Sequence, residues 1–275
     1  MIFNLLCSNP TTILALIHQK VIFANMLEQQ KLKFASLLYK YLFPVYRILY
    51  FNFKNKKDRH HLTLISSLIK PGFQVLDIGG NIGFFTKFLA KHVGSSGHVY
   101  SFEPDITNFN HLKKELSGNK NVTLVQKAIA AESGSLTLYT STLLNVDHRT
   151  YKPDNYTGSY SVEKIAIDEF VSDRFKVDFI KMDIQGFEKD ALKGMEKTLM
   201  ANKDIILFTE FWPYGLKQAG SSAAEVFDLL SSNGFSIYKV DASKLVTMTR
   251  EDAATMKVEY FTDANVIATR NEIKI

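Results

Sequence analysis

The 275-residue sequence predicts an α/β fold, an open and mostly parallel sheet with helices on both faces. Three observations carry this reading. Short apolar runs alternate with stretches of helical period; one strand passes through a glycine turn straight into a helix at 73–86; and two acidic residues, Asp77 and Glu103, close consecutive strands.

Taken in order, the chain opens on a segment unlike the rest. From Thr11 to Phe53 the pattern is helical, with Leu37, Leu38, Tyr41, Leu42, Val45 and Leu49 interleaved with lysines, and Pro44 is expected to kink or split the second helix. Residues 1–60 carry nine bases against two acids, a net charge of +7 out of +5 for the whole chain, which leaves −2 for the remainder. A basic amphipathic helix either packs on the following domain and shows its lysines to water, the preferred reading, or lies peripherally on an anionic membrane. No run reaches the roughly 18–20 apolar residues that span a bilayer, and a signal peptide is not expected. A single cysteine, Cys7, leaves no internal disulfide framework, in keeping with a cytoplasmic protein. A boundary is placed in the polar stretch 52–61, dividing an N-terminal helical segment, 1–60, from a catalytic domain, 61–275.

Leu62 to Ile69 reads as a helix ending at Pro71-Gly72. Val75, Leu76 and Ile78 then form the continuous apolar run of a strand buried on both faces, and Phe84, Phe85, Phe88 and Leu89 resume at helical spacing. Gly79, Gly80 and Gly83 at the join permit positive φ and a close ligand approach. Gly79-Gly80-Asn81-Ile82-Gly83 lacks the G-x-G-x-x-G spacing of a dinucleotide site, and a carboxylate at Asp77 would repel a pyrophosphate. It suits a cation instead, such as the ammonium and sulfonium of S-adenosylmethionine (SAM). The strand His98–Phe102 ends in Glu103-Pro104, an acid placed to accept from two ribose hydroxyls.

Asp105 caps a helix running to Leu116. The strand Val122–Val125 leads to Ala128, where an adenine would lie. Alternation in 135–139 and 161–167 suggests a hairpin, and the long polar stretch between, 140–160 with Asp147, His148 and Arg149, reads as a substrate cover. Further strands run to Asp183, to Glu210 and through 235–240, with helices starting near Gly186 and over 223–230; 265–269 forms the last strand.

The motifs Val75-Leu-Asp-Ile-Gly-Gly-Asn-Ile-Gly-Phe-Phe-Thr86, Phe102-Glu-Pro104, Asp168-Glu-Phe170 and Ile180-Lys-Met-Asp-Ile-Gln-Gly-Phe-Glu188 with Leu192-Lys-Gly194 resemble the FkbM-type SAM-dependent methyltransferases, over roughly 70–269. The resemblance implies a Rossmann-like class I methyltransferase fold of seven strands with the last antiparallel. It also implies O-methylation of a sugar, glycolipid or polyketide-like small molecule. Asp77, Gly79, Asn81 and Gly83 would hold the methionine part of SAM, with Phe84 and Thr86 completing that cradle; Glu103 would hold the ribose, Ala128 the adenine, and Asp183 also belongs to the cofactor wall. Relatives carry Glu where this chain has Gln185, so Gln185 receives no catalytic role.

Methyl transfer to an alcohol needs alignment, dryness and a base. Asp183 and Glu210, at the ends of adjacent strands, are the principal candidates, either as general base or jointly as ligands of a Mg2+ ion. His148 is a third candidate base, and Glu188 is assigned to structure or cofactor positioning. Trp212, Pro213 and Tyr214 could wall the acceptor. The rivals are a nicotinamide-dependent oxidoreductase, disfavoured by Asp77, and a membrane-recruited SAM-binding module without turnover. Nucleic acid is not expected as a partner, because the bases cluster outside a mildly acidic core.

Overall fold

The computed structural model describes residues 30–141, 148–154, 156–242, 244–260 and 262–273. Cys7, residues 11–29 of the anticipated helical segment, and Asp147 lie outside them.

The chain enters as a helix over 30–41 (α1), breaks at Leu42, and restarts as α2 (Phe43–Lys57) with Pro44 in the first turn, where a missing N–H is harmless. Pro44 thus divides two helices. The polar stretch 52–61 is itself helical, passing from α2 into α3 (Arg59–Leu68) across Asp58. Then follow β1 (Gln74–Ile78), α4 (Phe84–Val93), β2 (His98–Phe102), α5 (Ile106–Glu115) and β3 (Val122–Val125). A small sheet comes next, from β4 (Ala128–Ile129), β5 (Gly134–Thr140) and β6 (Gly158–Ile165). In it β5 and β6 form the expected antiparallel hairpin from Gly134↔Lys164 to Thr140↔Gly158. The chain returns through α6 (Ile167–Val171), β7 (Phe179–Met182), α7 (Glu188–Lys193), α8 (Glu196–Ala201), β8 (Ile206–Phe211), α9 (Pro213–Gln218), α10 (Ala223–Ser232), β9 (Ser236–Asp241), β10 (Lys244–Thr247), α11 (Arg250–Ala254) and β11 (Ala264–Thr269).

The main sheet has the order β10-β9-β11-β8-β7-β1-β2-β3. Strands β3, β2, β1, β7 and β8 run parallel, and β11 inserts antiparallel between β8 and β9. This is the class I methyltransferase arrangement. Its eighth strand, one more than expected, is β10, which folds back on β9 as an edge hairpin.

Period-two alternation divides the sheet's side chains between two apolar layers. Leu76, Ile78, Ile180 and Met182 pack under α7, α8 and α10, whereas Val75, Phe179 and Phe208 pack with Leu64, Ile65 and Leu89 from α3 and α4. Two family-like motifs are explained by this packing. Asp168 accepts the N–H groups of Lys197 and Thr198 at 3.0 and 2.7 Å and so caps α8. At Gly194 a Cβ would stand 2.0 Å from the Ala130 carbonyl oxygen, so only glycine fits.

Candidate active site

Above the carboxyl ends of β1, β2, β7 and β8 lies a cavity of about 720 Å³, the crevice where open α/β sheets bind ligands. Of the anticipated residues, Gly79, Asn81, Phe84, Glu103, Ala128, His148, Asp183 and Glu210 line it. Asp77, Gly83 and Thr86 do not.

The reason is the pleat. Asp77 shares the face of Val75, beneath α4, and the register of β1 on β7 sets it opposite Lys181. Both are buried, with Lys181 Nζ 3.5 Å from Asp77 Oδ1, while Oδ2 accepts from Thr86 Oγ1 at 2.5 Å and from Ser101 Oγ at 3.3 Å. The Asp77 charge is therefore answered from within the protein. Lys181 Nζ also donates to the Gly79 carbonyl at 2.9 Å, fixing the turn. Gly79 has φ +86°, and a Cβ there would meet the Asp183 carbonyl oxygen at 2.0 Å, so this glycine is required by the approach of β7 as well as by its backbone angle. Gly83 opens α4 and packs on Leu112 and Leu116.

Glu103 is the buried acid of the donor side. Its Oε2 accepts the Asn81 N–H at 2.8 Å and its Oε1 the Asp105 N–H at 3.0 Å, tying the end of β2 to the glycine turn. Burial raises its pKa to about 7 against the lowering effect of those bonds. A carboxylate has further lone pairs for ribose hydroxyls. Ala128 and Ile129 line the next part of the wall.

His148 lines the cavity beside Asp105, on the donor side. Its Nδ1 accepts the Ser141 N–H at 3.2 Å, which places the proton of the neutral ring on Nε2, 3.5 Å from Asp105 Oδ2. Both ring nitrogens are thus engaged in holding the cover. Its neighbour Arg149 is buried with its guanidinium 5.1 Å from the Trp212 ring, 5.7 Å from Tyr151 and 5.8 Å from Tyr260.

At the other end, Asp183, Glu210 and Asp263 line the wall together. Gln185, held at φ +57°, donates from Nε2 to Asp183 Oδ1 at 2.8 Å and so orients it. The Glu210 carboxyl sits well above the ordinary carboxylate range because of burial first, then the nearby Asp183 and Asp263 charges. Glu188 lies behind the wall: Oε1 accepts the N–H groups of Ile184 and Gly186 at 3.2 and 3.4 Å, and burial lifts its pKa to about 7. Among the described residues no three His, Cys, Asp or Glu side chains group as metal ligands. The Mg2+ alternative for Asp183 and Glu210 gains no support.

Sequence reasoning missed Lys181, Asp263 and Tyr50. Lys181 lay inside a quoted motif, but only the register shows its partner; Asp263 precedes the last strand with no motif around it. Tyr50 arrives from α2, whose residues Tyr46, Leu49, Tyr50 and Phe53 close one side of the cavity. The α1 and α2 helices are docked on the domain by Tyr39 Oη donating to Asn108 at 2.7 Å, by Phe43 stacked on His111, and by an Arg47–Glu115 ion pair. Trp212 lines the cavity, and its Nε1 donates to the Tyr260 carbonyl at 2.8 Å.

Known proteins resemble this chain at several levels. It is 25% identical over 189 residues, 62% of this chain and 76% of the relative, to the 2-O-methyltransferase NoeI of Sinorhizobium fredii. Among solved structures, a SAM-dependent methyltransferase from Aquifex aeolicus superposes with a TM-score of 0.43 at 19% identity, covering 75% of this chain and 87% of that one. A SAM-dependent O-methyltransferase from Thermotoga maritima gives a TM-score of 0.42 at 15% identity, with 78% and 66% covered. The methyltransferase FkbM domain matches residues 77–237, more than half of the chain, and the protein belongs to this family of SAM-dependent methyltransferases.

Proposed function

We propose that the protein methylates a hydroxyl oxygen of a saccharide-containing acceptor, with Glu210 as the general base. The observation that carries this is the placement of Asp183, Glu210 and Asp263 on one wall of the cavity that also contains Glu103 and the glycine turn. Strand spacing puts Glu103 and Glu210, three strands apart, about 14 Å from one another, room for a nucleoside-bearing donor and an acceptor side by side. The similarity to a 2-O-methyltransferase supports oxygen as the target.

When bound, SAM supplies an electrophilic methyl on a sulfonium. Glu103 would accept hydrogen bonds from its ribose hydroxyls, and the turn from Gly79 to Ile82 would receive its amino-acid part. Asp183, oriented by Gln185, would contribute negative charge toward the sulfonium. Glu210, made more basic by burial and its acidic neighbours, would take the acceptor's hydroxyl proton as the methyl passes from sulfur to oxygen, its bond to sulfur breaking and the neutral thioether leaving. Tyr50 and Trp212 exclude water from that end.

The test is incubation with methyl-labelled SAM and a panel of mono- and oligosaccharides, with mass spectrometry locating the label. An O-methyl saccharide lost on Glu210→Gln is expected. Label found only on nitrogen, or saccharide methylation that survives Glu210→Gln at full rate, would overturn the reading.

A further inference from the structure

The α1 and α2 helices are apolar on two faces, and the domain covers only one. Tyr39, Tyr46 and Phe51 turn inward, while Phe34, Leu37 and Tyr41 on α1, and Val45, Ile48, Leu49 and Phe53 on α2, stand at helical spacing within each helix on the outer side, each between 45% and 68% exposed. Among the described residues nothing packs over this stripe, and an apolar stripe of that length is a docking surface.

Its charge selects the occupant. From 30 to 60 the only acidic residue is Asp58, which is buried and paired with Lys54, whereas Lys33, Lys40, Lys56, Lys57 and Arg59 are exposed. A second copy would set one lysine-rimmed face against another, and like charges oppose that pairing. An anionic bilayer answers both features at once: lysines reach phosphates while the stripe enters the acyl boundary, with Tyr41 at headgroup depth.

We infer that α1 and α2 dock the enzyme on anionic lipid, and that the acceptor hydroxyl is presented from that surface on a lipid-anchored molecule. The second half rests on the proposed O-methylation. The link is physical continuity: Phe34, Leu49 and Phe53 belong to the exposed stripe and also line the cavity. The mouth of the site therefore borders the docking plane, and an apolar acceptor tail can stay in lipid while its head group reaches Glu210.

The test uses the full chain in co-sedimentation with vesicles of phosphatidylcholine, with and without phosphatidylglycerol. Salt-sensitive binding to the anionic vesicles is expected. The triple substitution Leu37→Glu, Val45→Glu, Ile48→Glu, none of which lines the cavity, is expected to weaken vesicle binding at least tenfold with SAM affinity and melting temperature unchanged. Should the triple variant melt early, Ile48→Glu alone carries the comparison. Vesicle binding absent in the wild type, equal in the variant, or replaced by a dimer that the variant dissolves would each overturn the inference. SAM titration and saccharide labelling read the catalytic proposal separately, so either can fail alone.

Discussion

Lys181 faces Asp77 across the β1–β7 register at 3.5 Å, two opposite charges buried beneath the turn that shapes the cavity. Removing one partner of a buried pair leaves the other uncompensated, so Lys181→Met is expected to destabilise the fold by roughly 3–5 kcal/mol. Asp77→Asn together with Lys181→Met should recover much of that loss. Denaturant unfolding of the two single variants and the double variant reads the coupling; additive losses would mean the two side chains act independently.

Glu103 links donor binding to pH. Its carboxyl holds a proton up to about pH 7, and both ribose hydroxyls and a sulfonium favour the ionised form. SAM affinity should therefore rise as pH increases through 7, with proton release on binding. Glu103→Gln should flatten that rise and weaken binding by about tenfold or more, the worth of a charged hydrogen bond. Calorimetric titration in buffers of different ionisation enthalpy measures both.

Asp263 sets the basicity of Glu210. With Asp263→Asn one source of the upward shift disappears, so Glu210 ionises at lower pH. The acidic limb of the pH–rate profile should move toward acid, while Glu210→Gln should remove that limb and most of the rate, about 10²–10⁴-fold. An acidic limb unchanged in Asp263→Asn would separate the two carboxyls functionally.

Glu188 gives a stability signature. Its folded pKa of about 7 lies above the ordinary 4.5, so the folded chain keeps a proton that the unfolded chain has released. That contribution is complete below 4.5 and is lost as pH rises through 7, on the order of 3 kcal/mol for a shift of this size. The depressed His61, His98 and His111 act in the opposite sense, but only below about 6.5, the ordinary histidine value. Between pH 6.5 and 8, melting temperature should fall in the wild type and fall less in Glu188→Gln, which retains the acceptor for Ile184 and Gly186.

Much of this was legible in the sequence because it is local. The strand–turn–helix at 73–86, the Asp105 cap, which accepts the Asn108 N–H at 2.7 Å, and the β5–β6 hairpin each follow from neighbouring residues. That Asp77 and Thr86 lie outside the cavity lining was not legible for the opposite reason: which face an acid occupies depends on pleat and register, and Lys181 is 104 positions away from Asp77 in the sequence. The bond from the Ser141 N–H to His148 Nδ1 is likewise invisible in the sequence. Strand β10 and the short helices α9 and α11 have too few residues to show a period.

Because β11 runs back against β8, Asp263 and Tyr260 come to the cavity rim from beyond the family-matched stretch 77–237, as Tyr50 and Phe53 do from before it. The wall around Asp183 and Glu210, which itself lies within the matched stretch, is thus completed by residues from the chain's two ends. Grafting those two ends between family members should transplant the choice of recipient while leaving the donor chemistry intact.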